Sequence, residues 1–398
     1  MLLCRACYSE SVFPMLDVGL QPLSNRFVCI KGEEEPLFPF KWNLCRRCGL
    51  VQFDTSVPAD ELKPRFNWIT YSEPEDHLDD MVDMLEELPG MTTNSLLMGV
   101  SYKDDTTLRR FEKKGVTRTI RIDQAADLGI TDRCAGIETL QNRIIPERML
   151  EVSAKYGRVN MVIVRQVLEH AEDLRAFLNG LKELIAPGGY VVIEVPDSLR
   201  AIERCDYTML WEEHVVYFTP STFRRCLNEA GFNVVNFIVY PYTFEDSLVC
   251  VAQIGKHGGV QQKEEVKKAL LDAEHFAKEF KGYGIKFKNA LEAFYREKGK
   301  IAIFGAGHQA CGYVNFFGLT DLIDFVVDDN PNKKELFMPG SQLPILSSRA
   351  LLERDIKLCL LTINPIREEN VLLRNCAFVG QGGQFRSIFL SSRHAFKC

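Results

Sequence analysis

A chain of 398 residues, 46% apolar and 26% charged, exceeds one ordinary hydrophobic core and is too apolar to be disordered, which implies two or three globular domains. Its 48 basic and 54 acidic side chains leave a formal charge of −6, so no basic field exists for wrapping nucleic acid or lying on an anionic membrane. The length excludes a small disulfide-stapled scaffold, and thirteen cysteines, an odd number, imply reduced thiols. The start MLLCRACYSE lacks the apolar core and cleavage site of a signal peptide, and no run approaches the roughly 18 apolar residues of a membrane span. The expectation is a cytoplasmic protein with small-molecule partners, bound to neither nucleic acid nor membrane.

In chain order, Cys4, Cys7, Cys45 and Cys48 form two C-x2-C knuckles, the spacing that presents four thiolates to one Zn2+. The intervening segment is poor in core-forming residues, so a structural zinc would supply its stability. Residues 1–56 carry six basic and six acidic side chains, which removes the electrostatic footprint of a nucleic-acid ribbon. Leu78, Met81, Val82 and Leu85 repeat at helical spacing between prolines. SLLMGV, RTIRID and VNMVIV then read as strands, LRAFLNGLKELIA as a helix stopped by Pro187-Gly188-Gly189, and YVVIEVP as a further strand. This rhythm predicts a parallel sheet covered by helices, with ligands at the carboxyl ends of the strands. Residues 258–298 read as a long charged helix or helix pair, and KIAIFGAGHQACGYVNF with LIDFVVDDNP opens a second α/β domain.

The expected organisation is thus an α/β protein with a zinc-binding module over 1–56, a helical connector over 57–90, a doubly wound central sheet over 91–257, a helical linker over 258–298 and a C-terminal Rossmann-like domain over 299–398. The segment from Asn160 to Phe218, with V-L-E-H, a helix, L-x-P-G-G and a strand, resembles the second half of class I methyltransferases that use S-adenosylmethionine. The whole chain resembles the sugar C-methyltransferase family of deoxysugar pathways. The likeness rests on the four cysteines, LDVGLQPLSNRF at 16–27, CGLVQ at 48–52, EEH at 212–214, and GAG with DDNP in the last domain.

The resemblance implies S-adenosylmethionine as cofactor and a nucleotide-linked 4-keto-6-deoxysugar as substrate, with homo-oligomerisation left open. It places His214 as the base that removes a proton beside the ketone, with Glu213 next to it. His170 matches another active-site histidine, and Tyr71, in FNWITYSEPEDH, lies in a segment leading to the site. Imidazole titrates near neutrality, and a neighbouring carboxylate can orient it or stabilise its cation.

The cofactor loop departs from the family pattern E-x-G-x-N-D-G. From Gly99 to Arg109 the chain reads G-V-S-Y-K-D-D-T-T-L-R, which puts Ser101 and Asp105 at glycine positions and Lys103 at the asparagine, and retains Asp104. Asp123, 19 residues after Asp104, is placed to accept bonds from ribose hydroxyls. Gly99, Ser101, Asp104 and Asp123 are therefore the expected cofactor residues. Loss of the glycines leaves three outcomes open: retained donor binding with altered geometry, a keto-sugar epimerase or isomerase that uses His214 alone, or a non-catalytic binding protein. In the last domain, Gly305-Ala306-Gly307, Ala310 and Asp328 form a partial dinucleotide fingerprint, which by itself would point to NAD. The family resemblance assigns that domain to the sugar-nucleotide cleft.

Overall fold

The run Val159–Arg165, apolar on both faces, lies where such a pattern must lie, inside a sheet covered on each side. The computed structural model describes residues 2–69, 73–255 and 263–397. The chain divides into two compact units, one made of Met1–Phe13, Asn43–Leu199 and Glu213–Leu270, the other of Pro14–Trp42, Arg200–Glu212 and Leu271–Cys398.

Strands β1 (Val12–Gln21), β2 (Phe38–Cys45) and β3 (Val51–Phe53) precede β4 (Leu96–Gly99), β5 (Arg118–Arg121), β6 (Val159–Arg165), β7 (Ile185–Pro196), β8 (Val216–Tyr217), β9 (Phe232–Tyr240) and β10 (Ser247–Ile254). Six of them form one sheet in the order β5-β4-β6-β7-β10-β9, and β1-β2-β3-β8 form another. In the larger sheet β5, β4, β6 and β7 run parallel, while β10 is antiparallel to both β7 and β9. The chain moves outward from β4 to β5 and then returns to β6 on the other side of β4. That reversal opens a crevice at the carboxyl ends of β4 and β6, where open α/β sheets bind ligands.

Alternation along each strand assigns residues to the two faces. Val191, Ile193 and Val195 pack with helices Pro146–Tyr156 and Leu174–Leu184, whereas Tyr190 and Val192 pack with helices Leu78–Glu86 and Asp105–Lys113. The first of those helices buries the expected Leu78, Met81, Val82 and Leu85. The helix starting at Leu174 ends at Leu184, so Pro187-Gly188-Gly189 fall within β7 instead of terminating the helix. The register between β6 and β7 shifts there, because Val159 faces Ile185 and Met161 already faces Tyr190.

The second unit carries β11 (Ile301–Phe304), β12 (Ile323–Val327), β13 (Ile345–Leu346), β14 (Leu358–Leu361) and β15 (Gln384–Ser387), an all-parallel sheet in the order β13-β12-β11-β14-β15. The charged segment before it forms one 36-residue helix, Lys263–Lys298. Among the described residues, no helix is long and apolar enough to cross a membrane.

Two glycines on that long helix differ in what surrounds them. A Cβ at Gly282 would meet nothing within 4 Å, whereas one at Gly284 would lie 2.6 Å from the Phe317 ring, within a cluster formed with Tyr283, Phe287 and Tyr313. Helix propensity favours alanine at both positions by about 1 kcal/mol, but overpacking a filled core costs about 1–3 kcal/mol. Urea denaturation should therefore show Gly282→Ala raising stability and Gly284→Ala lowering it. Equal effects of the two substitutions would contradict this packing.

Candidate active site and zinc-binding cluster

Both C-x2-C knuckles turn through a left-handed residue, Tyr8 (φ 56°) after the first and Gly49 (φ 79°) after the second. The turns are closed by bonds from the Tyr8 amide to the Cys4 carbonyl and from the Gly49 amide to the Cys45 carbonyl. All four thiols are buried and their sulfurs lie within 4.8 Å of one another, with Cys4 to Cys48 at 3.5 Å and Cys7 to Cys45 at 3.6 Å. Zinc–thiolate bonds of about 2.3 Å give a tetrahedron with edges of about 3.8 Å, whereas a disulfide would bring sulfurs to about 2 Å. The donor set and spacing fit one structural Zn2+. The Arg5 guanidinium, donating to the Glu172 carbonyl and to Ser56 Oγ, ties the first knuckle to the segment after β6.

Asp104 organises the turn after β4. Its Oδ2 accepts from the amides of Val100 (2.8 Å) and Ser101 (2.7 Å), and its Oδ1 accepts from the amide of Arg165 at the end of β6 (2.9 Å). Burial pushes this carboxyl up to about 7 against the opposing hydrogen bonds. Ser101 Oγ accepts from the Lys103 amide, which completes a capping box. Gly99 is required by close approach, since a Cβ there would lie 2.8 Å from the Asp104 Cβ. No residue from 99 to 105 has a positive φ. Serine and lysine therefore stand without backbone strain at the positions that the resemblance gives to glycine and asparagine, and the difference is one of side-chain volume and charge.

A buried ionic network lies behind this loop, and no sequence motif announced it. Arg165 donates through Nε to Glu194 Oε2 (2.6 Å), through Nη1 to the Lys103 carbonyl (2.8 Å) and through Nη2 to the Pro74 carbonyl (3.2 Å). Glu194 also accepts from Gln166 Nε2 and Ser247 Oγ, and the His77 Nε2 stands 3.4 Å away. Burial alone would raise the Glu194 carboxyl, but Arg165 and His77 hold it at about 2. The bonds from Lys103 to Glu73 and from Thr106 to Glu75, each 2.7 Å, fasten the Glu73–His77 segment to the loop and helix after β4.

Glu169 and His170 follow β6 and face His214. The His170 and His214 rings meet edge to face at 5.0 Å, and ligand atoms of Glu169, His170 and His214 lie within 4.8 Å of one another, a set chemically able to hold a divalent cation. The Val215 amide donates to the Glu169 carbonyl and the His170 imidazole bonds the Glu213 backbone, so the E-E-H segment is docked on the segment after β6. Burial, then His214 and Lys103, push His170 well below the usual imidazole range. His214 is half-buried and Glu213 buried. Burial raises the Glu169 carboxyl to about 8 although Lys103 opposes it, and its Oε2 is buried with no hydrogen-bond partner.

The structure thus brings Gly99, Ser101 and Asp104 together on one loop, with His170, Glu213 and His214 grouped by the segment after β6. Asp123 stands apart, exposed two residues beyond β5, with Oδ1 accepting from the amides of Ala125 and Ala126. Tyr71 lies outside the described residues. In the second unit, Glu212 accepts from the Ser24 amide and hydroxyl, and Trp211 donates to Ser24 and stacks on His308 at 4.3 Å. There Asp328, the acid of the dinucleotide fingerprint, accepts from the Ala306 amide and from Lys333 Nζ, and the same Nζ donates to the Ala306 carbonyl. The carboxylate that would hold ribose hydroxyls is engaged by its own glycine turn.

Metal analysis of the purified chain should find one zinc, and Cys45→Ala should lose it and lower the melting temperature by many degrees. A metal-free protein of unchanged stability would contradict the assignment. A second outcome concerns pH. Because the Glu169 carboxyl is raised in the folded state, its stabilising contribution is complete below the ordinary value of 4.5 and is lost as pH rises through about 8. Glu169→Gln should remove a few kcal/mol of pH-dependent loss across that window, measured by denaturation at a series of pH values. An unchanged slope would contradict the burial argument.

Three family models match in succession: a "Putative zinc binding domain" over residues 4–62, a "Methyltransferase domain" over 100–236 and a "C-methyltransferase C-terminal domain" over 259–389. The C-methyltransferase NovU of Streptomyces niveus is 25% identical over 240 residues, an alignment spanning 58% of this chain and only 56% of that protein. Among solved structures, the 1,6-didemethyltoxoflavin-N1-methyltransferase of Burkholderia thailandensis aligns with 46% of this chain and 80% of its own at 14% identity and a TM-score of 0.31. The [4+2]-cyclase SpnF aligns with 45% of this chain and 82% of its own at 10% identity and a TM-score of 0.31. The chain thus matches, in order along its length, a zinc-binding domain, a methyltransferase domain and a C-methyltransferase C-terminal domain, each over less than half of its residues, and it spans little more than half of the curated relative.

Proposed function

We propose that the chain methylates carbon beside the ketone of a nucleotide-linked keto-deoxysugar, with S-adenosylmethionine as the methyl donor. The observation that carries this reading is the Glu169, His170 and His214 cluster at the ligand-binding end of a methyltransferase-domain sheet. His214 is half-buried, so it can reach a bound substrate and still release a proton to solvent. It takes the proton from the carbon next to the ketone, and the electron pair left behind forms the enolate whose carbon accepts the methyl group. His170, kept neutral by burial and by its neighbour, holds the imidazole of His214 edge-on without adding a positive charge.

The donor, when bound, supplies an electrophilic methyl group. Asp123 would hold its ribose, and the loop from Gly99 to Asp104 would support its methionyl part, with Asp104 acting through the backbone it fixes. A cytosolic enzyme acting on a soluble nucleotide sugar fits the charge balance of the chain.

Calorimetric titration with S-adenosylmethionine should give a saturable isotherm, and His214→Ala should retain that binding while losing at least about 100-fold in methyl transfer. The bulk of Ser101 and Lys103 in the loop favours one competing reading, enolisation without methylation. Absence of donor binding at millimolar concentration, together with solvent deuterium entering the keto-sugar, would replace methyl transfer by that reading.

A further inference from the structure

We propose that Lys103 is a catalytic residue of this site, its ammonium placed to stabilise the enolate oxygen formed when His214 takes a proton from the keto-sugar. The inference rests on the keto-sugar reading above. Lys103 lies in the turn after β4, and its side chain is only 6% exposed. An ammonium is costly to bury without compensation, and its hydrogen-bond partner at 2.7 Å is the carboxylate of Glu73, itself 28% exposed. A lysine that served only to anchor the loop would gain more by pointing to water.

The backbone around it is fixed independently of that ammonium. Arg165 Nη1 holds the Lys103 carbonyl and Ser101 Oγ holds the Lys103 amide, so the side chain leaves the loop from a rigid base. That base lies against the end of β6, four residues before Glu169, on the chain that goes on to face His214. Its hydrogen-bond partner Glu73 is the group that a substrate oxygen would displace or share.

A proton next to a ketone is far less acidic than an imidazolium, so a neutral histidine abstracts it only where the developing oxyanion is stabilised. Fixed donors aimed at such an oxygen are commonly the largest single contribution to rate. In this step the carbon–hydrogen bond breaks and its proton passes to His214. The electron pair forms the new carbon–carbon double bond, and the carbonyl pair moves to oxygen, where the ammonium donates a hydrogen bond. The enolate carbon then bonds to the donated methyl group, or takes a proton back from His214.

The second fate gives a readout that needs no methyl donor. The full chain, zinc included, is incubated in D2O with a nucleoside-diphosphate 4-keto-6-deoxyglucose, and deuterium at carbon beside the ketone is followed by NMR. Wild type should exchange, Lys103→Met should exchange about 100- to 1,000-fold more slowly, and Lys103→Arg should recover part of the loss by restoring charge. Glu73→Gln, which breaks the ion pair but leaves the ammonium, should exchange faster than wild type. Lys103→Met exchanging within threefold of wild type would overturn the proposal, as would Glu73→Gln losing exchange to the same extent as Lys103→Met, which would make the ion pair a structural strap. Wild type that neither exchanges nor methylates this substrate would instead defeat the keto-sugar reading on which the proposal rests.

Discussion

One carboxylate sets the geometry on which the rest of the site depends. Asp104 bridges the turn after β4 to the last residue of β6, because its two oxygens take three backbone amides from the two sides of the crevice. A hydrogen bond to a charged group contributes about 1.5–3 kcal/mol, so this single side chain holds two strand ends in register at the point where the sheet reverses direction. Arg165 then reads the outcome from below: its amide is one of the three donors, while its guanidinium pairs with Glu194 and reaches back to the Lys103 and Pro74 carbonyls. The loop, the strand end and the Glu73–His77 segment become one body. Removing either partner of such a buried pair leaves the other charge uncompensated, at a cost of about 3–5 kcal/mol.

The zinc cluster belongs to the same unit and supports it from another side. Its four cysteines share a hydrophobic cluster with Met98 and Val162 of the central sheet, and a Cβ at Gly49 would collide with Ala269 at 2.8 Å. Arg5, within the first knuckle, holds the chain just after His170. Metal binding therefore steadies the segment that carries Glu169 and His170, beyond folding its own two turns.

How much of this was legible in the sequence depends on how local the signal was. The C-x2-C pairs, the strand alternation and the helix at Leu78 are read from spacings of two to four residues, and the structure carries them. The Pro-Gly-Gly run gave a false stop, because a strand with a register shift tolerates those residues as well as a helix end does. Loss of the family glycines looked like damage to the loop, yet none of the positions concerned needs a positive φ, and Asp104 performs its task through backbone bonds that residue identity alone does not reveal. The Arg165, Glu194 and His77 network was invisible, since its members are 88 and 29 residues from the arginine and no motif links them. Only an arginine and a glutamate near the ends of adjacent buried strands could have hinted at it.

These constraints converge on the crevice for which proton abstraction by His214 is proposed, beside a loop that carries the buried Lys103. The most direct test of the whole account is to supply S-adenosylmethionine with a carbon-13 methyl group and a nucleotide-linked 4-keto-6-deoxysugar, and to read the product by carbon NMR. The account predicts the label bonded to ring carbon beside the ketone, and none of it when His214 is replaced by alanine. Label on a hydroxyl oxygen, or equal transfer by the His214→Ala variant, would contradict it.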